Sequence, residues 1–382
     1  MKKRIVELDI IRVISLLLIV LFHTTYWFKN TLPSASEKYS YFMWGDLGVS
    51  FFIILSGCVL TLTNSKFCDH FSFRKDILTF YKKRIVAILP SFWVAYFITN
   101  IFLFVLLSDF FPNLDLGYFL FSLLGLDGFV STMNVRPIYY RVGEWFTGFI
   151  LALYLIAPFL IWILIRSSHS ESLKRAEVVK KISFIAFIVL LSFISIYFSP
   201  LISKYFKFWS TNPFWNPTSR IAEFCLGIIL GNEISKSSSL IKSKTTFFFS
   251  LLIFFISTLF LDKYNNQDGF LVIIFYCSAF VVFYLFLIKI KNLVKKCSVL
   301  NRISIELIPF ITWMSTYSFL IFLFHHQVLI SILKVINIDK NNFGSYPVVF
   351  TLLFFSTLII SSYLSYITMP IVKRIASILK AI

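Results

Sequence analysis

The chain has 382 residues, of which 58% are hydrophobic and only 14% charged, and its formal net charge is +18. That much apolar surface exceeds what a soluble globule of this length can hide, and it also excludes a disordered chain. Five cysteines, odd in number and without CxxC spacing, exclude a disulfide-stapled secreted domain.

Apolar stretches long enough to cross a bilayer fall, in chain order, at 8–28, 46–63, 85–107, 142–165, 183–199, 218–234, 245–261, 269–288, 310–333 and 347–369. The second and sixth are short. Segment 116–131 is apolar but broken by Gly and Asp, and reads as a re-entrant or interfacial piece. The first run is too long for a cleaved signal peptide, and no small-residue cleavage site follows it. The predicted architecture is an all-α polytopic transmembrane bundle of about ten spans. Residues 1–382 are expected to form one domain with no appended extracellular domain.

Sorting the 36 Lys and Arg residues by loop gives the charge its meaning. With the N-terminus inside, the inner segments carry 25 of them and the outer segments 9, while Arg12 and Arg220 fall within spans. This asymmetry predicts that both termini are cytoplasmic. It also removes most of the support for nucleic acid as a partner, which +18 on a soluble protein would suggest. Basic runs such as Lys82–Lys83–Arg84 read first as anchors to inner-leaflet lipids. Lys outnumbers Arg 25 to 11 and Phe occurs 48 times, as an AT-rich bacterial genome would favour.

Ionisable residues within hydrocarbon are costly, so each is a functional candidate. They are Asp9, Arg12, His23, Asp46, Glu144, Arg220, Glu223, His325 and His326. Alternating span direction puts His23, Asp46, Glu144, Glu223 and His325 towards the outer side. Arg12 and Arg84 fall towards the inner side. Arg12 and His23 lie about 16 Å apart along one helix face, eleven residues being close to three turns. An anionic ligand entering from the cytoplasm would meet Arg12 and Arg84, and His23 would handle protons further out. Competing structural readings stand beside these. His23 would be a neutral His bonded within the bundle, Arg220 and Glu223 an ion pair tying two helices, and Asp9 a complement to its helix N-terminus. Cys58, Cys225 and Cys277 read as small buried apolar residues. Cys68 and Cys297 read as reduced thiols in inner loops. No His/Cys/Asp/Glu cluster has metal-ligand spacing, and neither a Walker A nor a GxSxG motif occurs.

The R-x10-H pair Arg12 and His23, within LDIIRVISLLLIVLFHT, closely resembles the first helix of the acyltransferase-3 family of integral membrane acyltransferases. WGDLGVSFFIILSG is similar to that family's G-V-x-x-F-F-x-x-S-G signature and contributes Gly48, Ser56 and Gly57. FYKKRIVAILPSFW resembles its basic segment and places Arg84, Pro90 and Trp93. EWFTGFILALYLIAPFL resembles its W…YL…P element through Trp145, Tyr154 and Pro158. RIAEFCLGIILG matches R-x-x-E-F-x-x-G-x-x-x-G through Arg220, Glu223, Gly227 and Gly231, and SFLIFLFHH resembles S-Y-x-I-Y-L-x-H through Ser318 and His325. The sequence departs from the family pattern in places. Ile150 stands where many members carry Glu, Phe319 and Phe322 where they carry Tyr, and Thr368 where an acidic residue is common.

The resemblance implies an enzyme of the bacterial cytoplasmic membrane that takes an acetyl or similar short acyl group from acetyl-CoA. The acceptor would be a hydroxyl of a cell-surface or lipid-linked glycan. Arg12 and Arg84 would bind the donor. His23 would deprotonate the acceptor or carry the acyl group, with Glu223 and His325 as further catalytic candidates. Asp46, Ser56, Trp145 and Arg220 would support the site, and no metal is expected. The competing function is a transporter or flippase of lipid-linked sugars.

Overall fold

In the computed structural model the described residues are all except 1–3, 32–43, 65–72, 108–115, 127, 130–144, 166–170, 207–208, 265–268, 336–345 and 382. Among them every regular element is helical. In chain order these are α1 (Val6–Thr31), α2 (Gly45–Thr63), α3 (Phe73–Leu107), α4 (Leu116–Leu123), α5 (Phe146–Ile165) and α6 (Glu171–Tyr197). They continue as α7 (Ser199–Tyr205), α8 (Ile221–Ser235), α9 (Lys244–Tyr264), α10 (Phe270–Val294), α11 (Ser298–Val335) and α12 (Tyr346–Ala381). Single turns at Pro213–Trp215 and Ser239–Lys242 complete the set.

Each of the ten expected spans falls on one of these helices. Seven of them, α2, α3, α5, α6, α10, α11 and α12, are long and apolar enough to cross a membrane by length and composition. The expected spans 8–28, 218–234 and 245–261 correspond to α1, α8 and α9, which stand outside those seven. At 15 residues α8 is about 22 Å long, short of the roughly 30 Å of a hydrocarbon core. Its partners are protein: Glu223, Phe224, Gly227, Ile228 and Gly231 are all buried. Glu144 lies outside the described residues. Segment 116–131 is helical over Leu116–Leu123 and then turns at Gly125, whose φ of 70° suits glycine. Trp93 Nε1 donates to the Leu123 carbonyl at 2.6 Å, tying this segment to α3.

The helices hold because each satisfies its own main chain, which is obligatory where water is absent. Hydroxyls within them turn back on the same ladder. Ser15 donates to the Ile11 carbonyl at 2.7 Å, Thr24 to Val20 at 2.8 Å and Ser56 to Phe52 at 2.8 Å.

Helix α2 sits at the centre. Of its apolar window 67% is buried, against 22% for α6, so α2 faces protein and α6 presents apolar side chains outward. Exposed Val179, Ile182, Phe187 and Leu190 on α6, and Phe248, Leu252, Phe255 and Leu259 on α9, form the kind of apolar surface that lipid covers. Without a hydrophobic drive between helices in lipid, α2 binds its neighbours through small residues. A Cβ on Gly48 would come within 2.7 Å of the Ser15 carbonyl oxygen of α1. On α8, a Cβ at Gly227 would collide with the Ile54 carbonyl and one at Gly231 with the Cys58 carbonyl, while one at Gly57 would strike the Phe224 carbonyl. Main chain meets main chain along this seam, so a side chain has no room to enter and no flexible neighbour to displace.

One end of the seam is locked by charge. Arg220 and Glu223 are both fully buried, and Arg220 Nε donates to Glu223 Oε2 at 2.8 Å. Ser50 of α2 donates to Glu223 Oε1 at 2.8 Å and also accepts from Arg220 Nη2. The pair thus ties α8 to α2 through Ser50. Breaking a buried pair leaves an uncompensated charge and costs about 3–5 kcal/mol, whereas replacing both partners with apolar residues is often neutral.

Two stability outcomes follow. Gly227→Val should destabilise the protein by about 3 kcal/mol through overpacking against main chain, read as loss of monodisperse protein in detergent chromatography. Leu190→Ala, on the exposed side of α6, should elute as wild type. Glu223→Gln should lower the thermal unfolding midpoint strongly, and the double variant Arg220→Met with Glu223→Met should recover most of the loss. An unshifted midpoint in Glu223→Gln would show that the pair does not hold the seam.

Candidate active site

Helices α1, α2, α3, α5 and α11 enclose a cavity of about 350 Å³. Arg12 from α1 and Arg84 from α3 both line it, so the two cations that lie 72 residues apart in the chain meet in one space. Arg12 Nη1 donates to Ser315 Oγ of α11 at 3.2 Å. The Arg84 guanidinium sits 5.8 Å from the Phe80 ring centre, and its buried Nε has no hydrogen-bond partner among the described residues. The basic run is therefore split by the helix. Lys82 and Lys83 are exposed as an anchor would be, while Arg84 turns inward. Ser56 also lines the cavity. So do Ile150, Phe319 and Phe322, three of the positions at which the sequence departs from the family pattern. These three residues, from two helices, thus converge on one wall and make it apolar.

Three turns along α1 from Arg12 is a second cluster. The His23 ring lies 5.1 Å from that of His325 and 5.2 Å from that of His326, centre to centre. Neighbouring groups define the tautomers of the two α11 histidines. His325 Nδ1 is 2.5 Å from the Phe322 carbonyl, which can only accept, so Nδ1 carries the proton. His325 Nε2 is then a bare lone pair, buried and without a hydrogen-bond partner among the described residues. The Trp27 indole N–H donates to His326 Nε2 at 2.9 Å, which leaves the proton of neutral His326 on Nδ1. No group of three or more His, Cys, Asp or Glu among the described residues is placed to hold a metal ion.

Aromatic rings separate the two clusters. Phe52 and Phe146 are 6.2 Å apart, Phe146 and Phe322 5.5 Å, and Phe322 and His325 5.6 Å. Phe322 both lines the cavity and touches the His325 ring, making it the shared wall.

The remaining candidates lie elsewhere. Both Glu223 oxygens are taken up by Arg220 and Ser50, so the buried pair is part of the α2–α8 seam and does not line the cavity. Asp46 is exposed in the first turn of α2, and its carbonyl lies 3.5 Å from Arg220 Nη2. Trp145, at the start of α5, packs its ring 5.2 Å from Phe149 and 6.2 Å from Trp215. Sequence reasoning missed Ser315 and Ser50. A lone serine within an apolar run carries no signal until the helix opposite it is known.

Comparison with known proteins agrees with this arrangement of motifs. No curated protein and no solved structure matches the chain. The family model for an acyltransferase domain matches residues 5–366, nearly the whole length. The match takes in α1, the cavity helices and both histidine-bearing segments, and on that basis the chain belongs to the acyltransferase-3 family, a family of membrane acyltransferases.

Proposed function

We propose that this protein transfers an acetyl or similarly short acyl group from acyl-CoA to a hydroxyl of a cell-surface or lipid-linked glycan. The observation that carries this reading is the placement of two unlike clusters on the same pair of helices. Arg12 and Ser315 meet at one level of α1 and α11, and His23 and His325 meet three turns further along. Guanidinium groups suit phosphates, and CoA carries several. The excess of basic residues in the inner segments puts Arg12 and Arg84 on the cytoplasmic side, where acyl-CoA is made. The setting is a multi-pass protein of the bacterial plasma membrane.

In this scheme the donor's phosphates engage Arg12 and Arg84, and its pantetheine arm extends past the aromatic wall towards the histidines. The acceptor hydroxyl gives its proton to His23 as its oxygen attacks the thioester carbon. The carbon–sulfur bond then breaks, and the departing thiolate takes the proton back from His23. The route through an acyl-histidine uses the same residues, with the carbon–sulfur bond broken before the acceptor enters. His325, with its bare Nε2 facing a buried environment beside His23, is a second acceptor for that proton. Glu223 acts through structure, since both of its oxygens are already engaged. Membership of an acyltransferase family favours acyl transfer over transport of lipid-linked sugars, for which an Arg and a His three turns apart have no evident use.

His23→Ala should lower acyl transfer by about 10²–10⁴-fold, the usual contribution of a general base. It should leave the protein in the membrane and remove acetate from the purified surface glycan. Acetate at wild-type level, measured by NMR, would refute the role of His23. Arg12→Ala removes a charge-assisted contact worth about 1.5–3 kcal/mol and should weaken CoA binding in detergent at least tenfold. Radiolabel transfer from acetyl-CoA in isolated membranes distinguishes the enzyme from a transporter.

A further inference from the structure

Arg12 has a carboxylate near it on its own helix that makes no hydrogen bond to it. On an isolated helix Asp9 and Arg12, three residues apart, would bind each other. Here Asp9 is 4% exposed, and its Oδ1 lies 3.8 Å from Arg12 Nη1, beyond hydrogen-bond distance. Three hydrogen bonds from other groups hold it instead. Arg4 grips it with two prongs, Nε to Oδ2 at 2.5 Å and Nη2 to Oδ1 at 3.1 Å. Ser315 donates to Oδ1 at 2.7 Å.

Arg4 is itself held in place by α11. Nη1 and Nη2 each reach Thr316 Oγ1 at 3.2 Å, and Nη2 reaches the Thr312 carbonyl at 3.1 Å. Arg12 is left with one hydrogen bond, to the neutral Ser315 hydroxyl at 3.2 Å, and with Asp9 only as a looser ion pair at 3.8 Å. Two guanidinium groups and one carboxylate leave one positive charge uncompensated. The geometry puts that charge on Arg12, which faces the cavity alongside Arg84.

We propose that Arg4 is a positioning residue for the donor site. By occupying Asp9 it keeps Arg12 from closing a hydrogen-bonded pair with the carboxylate of its own helix, and so keeps Arg12 open to an anion entering the cavity. This rests on the donor-site assignment above and adds how that site stays cationic. Without Arg4, Asp9 turns to Arg12 and neutralises it. Without Asp9 as well, nothing competes for Arg12, and Arg4 is no longer needed.

The test is a binding cycle on the full-length protein in detergent, with CoA as the probe and its dissociation constant as the readout. Arg4→Gln should weaken CoA binding about tenfold, a change of about 1.4 kcal/mol. Adding Asp9→Asn to Arg4→Gln should restore affinity to within about twofold of wild type. Rescue by removing a second charge is not expected if Arg4 merely supports the fold. Unchanged affinity in Arg4→Gln overturns the proposal, and so does a double variant as weak as the single one. Arg12→Ala, measured in parallel, separates the two levels. Wild-type affinity in that variant would instead overturn the donor site, and the role of Arg4 with it.

Discussion

Close approach of main chains between α2 and α8 is the constraint on which the rest of the bundle depends. Lipid tails are as apolar as Leu, so helices in a membrane gain little from hiding apolar side chains against each other, and contact geometry has to do the joining. Gly57, Gly227 and Gly231 let two backbones touch, and the buried Arg220–Glu223–Ser50 group fixes their register. From α2 the order passes outward. Gly48 seats α1 against it through the Ser15 carbonyl, and α1 then meets α11 through Arg12, Ser315 and the histidines. A short helix that need not span the bilayer by itself is thus at the root of a site it does not line.

The site divides its chemistry along one helix. A cationic cavity is suited to a hydrated, charged ligand, and a histidine cluster to moving protons, and the two environments differ in what they must exclude. Phe52, Phe146 and Phe322 stand between them and join them, since Phe322 belongs to both. In the proposed reaction, such a wall keeps water that follows the phosphates away from the thioester carbon, where it would compete with the glycan hydroxyl. The apolar residues Ile150, Phe319 and Phe322 deepen this separation.

Much of the fold was legible in the chain. Long apolar runs name helices because hydrocarbon leaves the main chain no other partner, and each of the ten expected runs carries a helix among its described residues. Length told less about crossing. The run at 218–234 holds a 15-residue helix buried in protein, and an apolar composition does not distinguish lipid from protein as the surrounding phase. Spacing identified Arg12 and His23 as residents of one face, since three turns of helix fix their direction and distance. The i,i+3 spacing of Arg220 and Glu223 was equally legible, though it left open whether the pair served structure or chemistry. Ser50, which comes from another helix, bonds both members of the pair and draws them into the seam.

What the sequence by itself determined is periodic and local. It established the helices, the likeness to a membrane acyltransferase family and the identity of the principal charged residues, because these rest on composition and on spacing along one chain. Only the tertiary structure decided which charges compete. Asp9 is nearer to Arg12 in sequence than to any residue of α11, yet Arg4 and Ser315 take it up and leave Arg12 facing the cavity with Arg84. Pairing between charges depends on distance in space and on the number of donors within reach, and helix packing sets both.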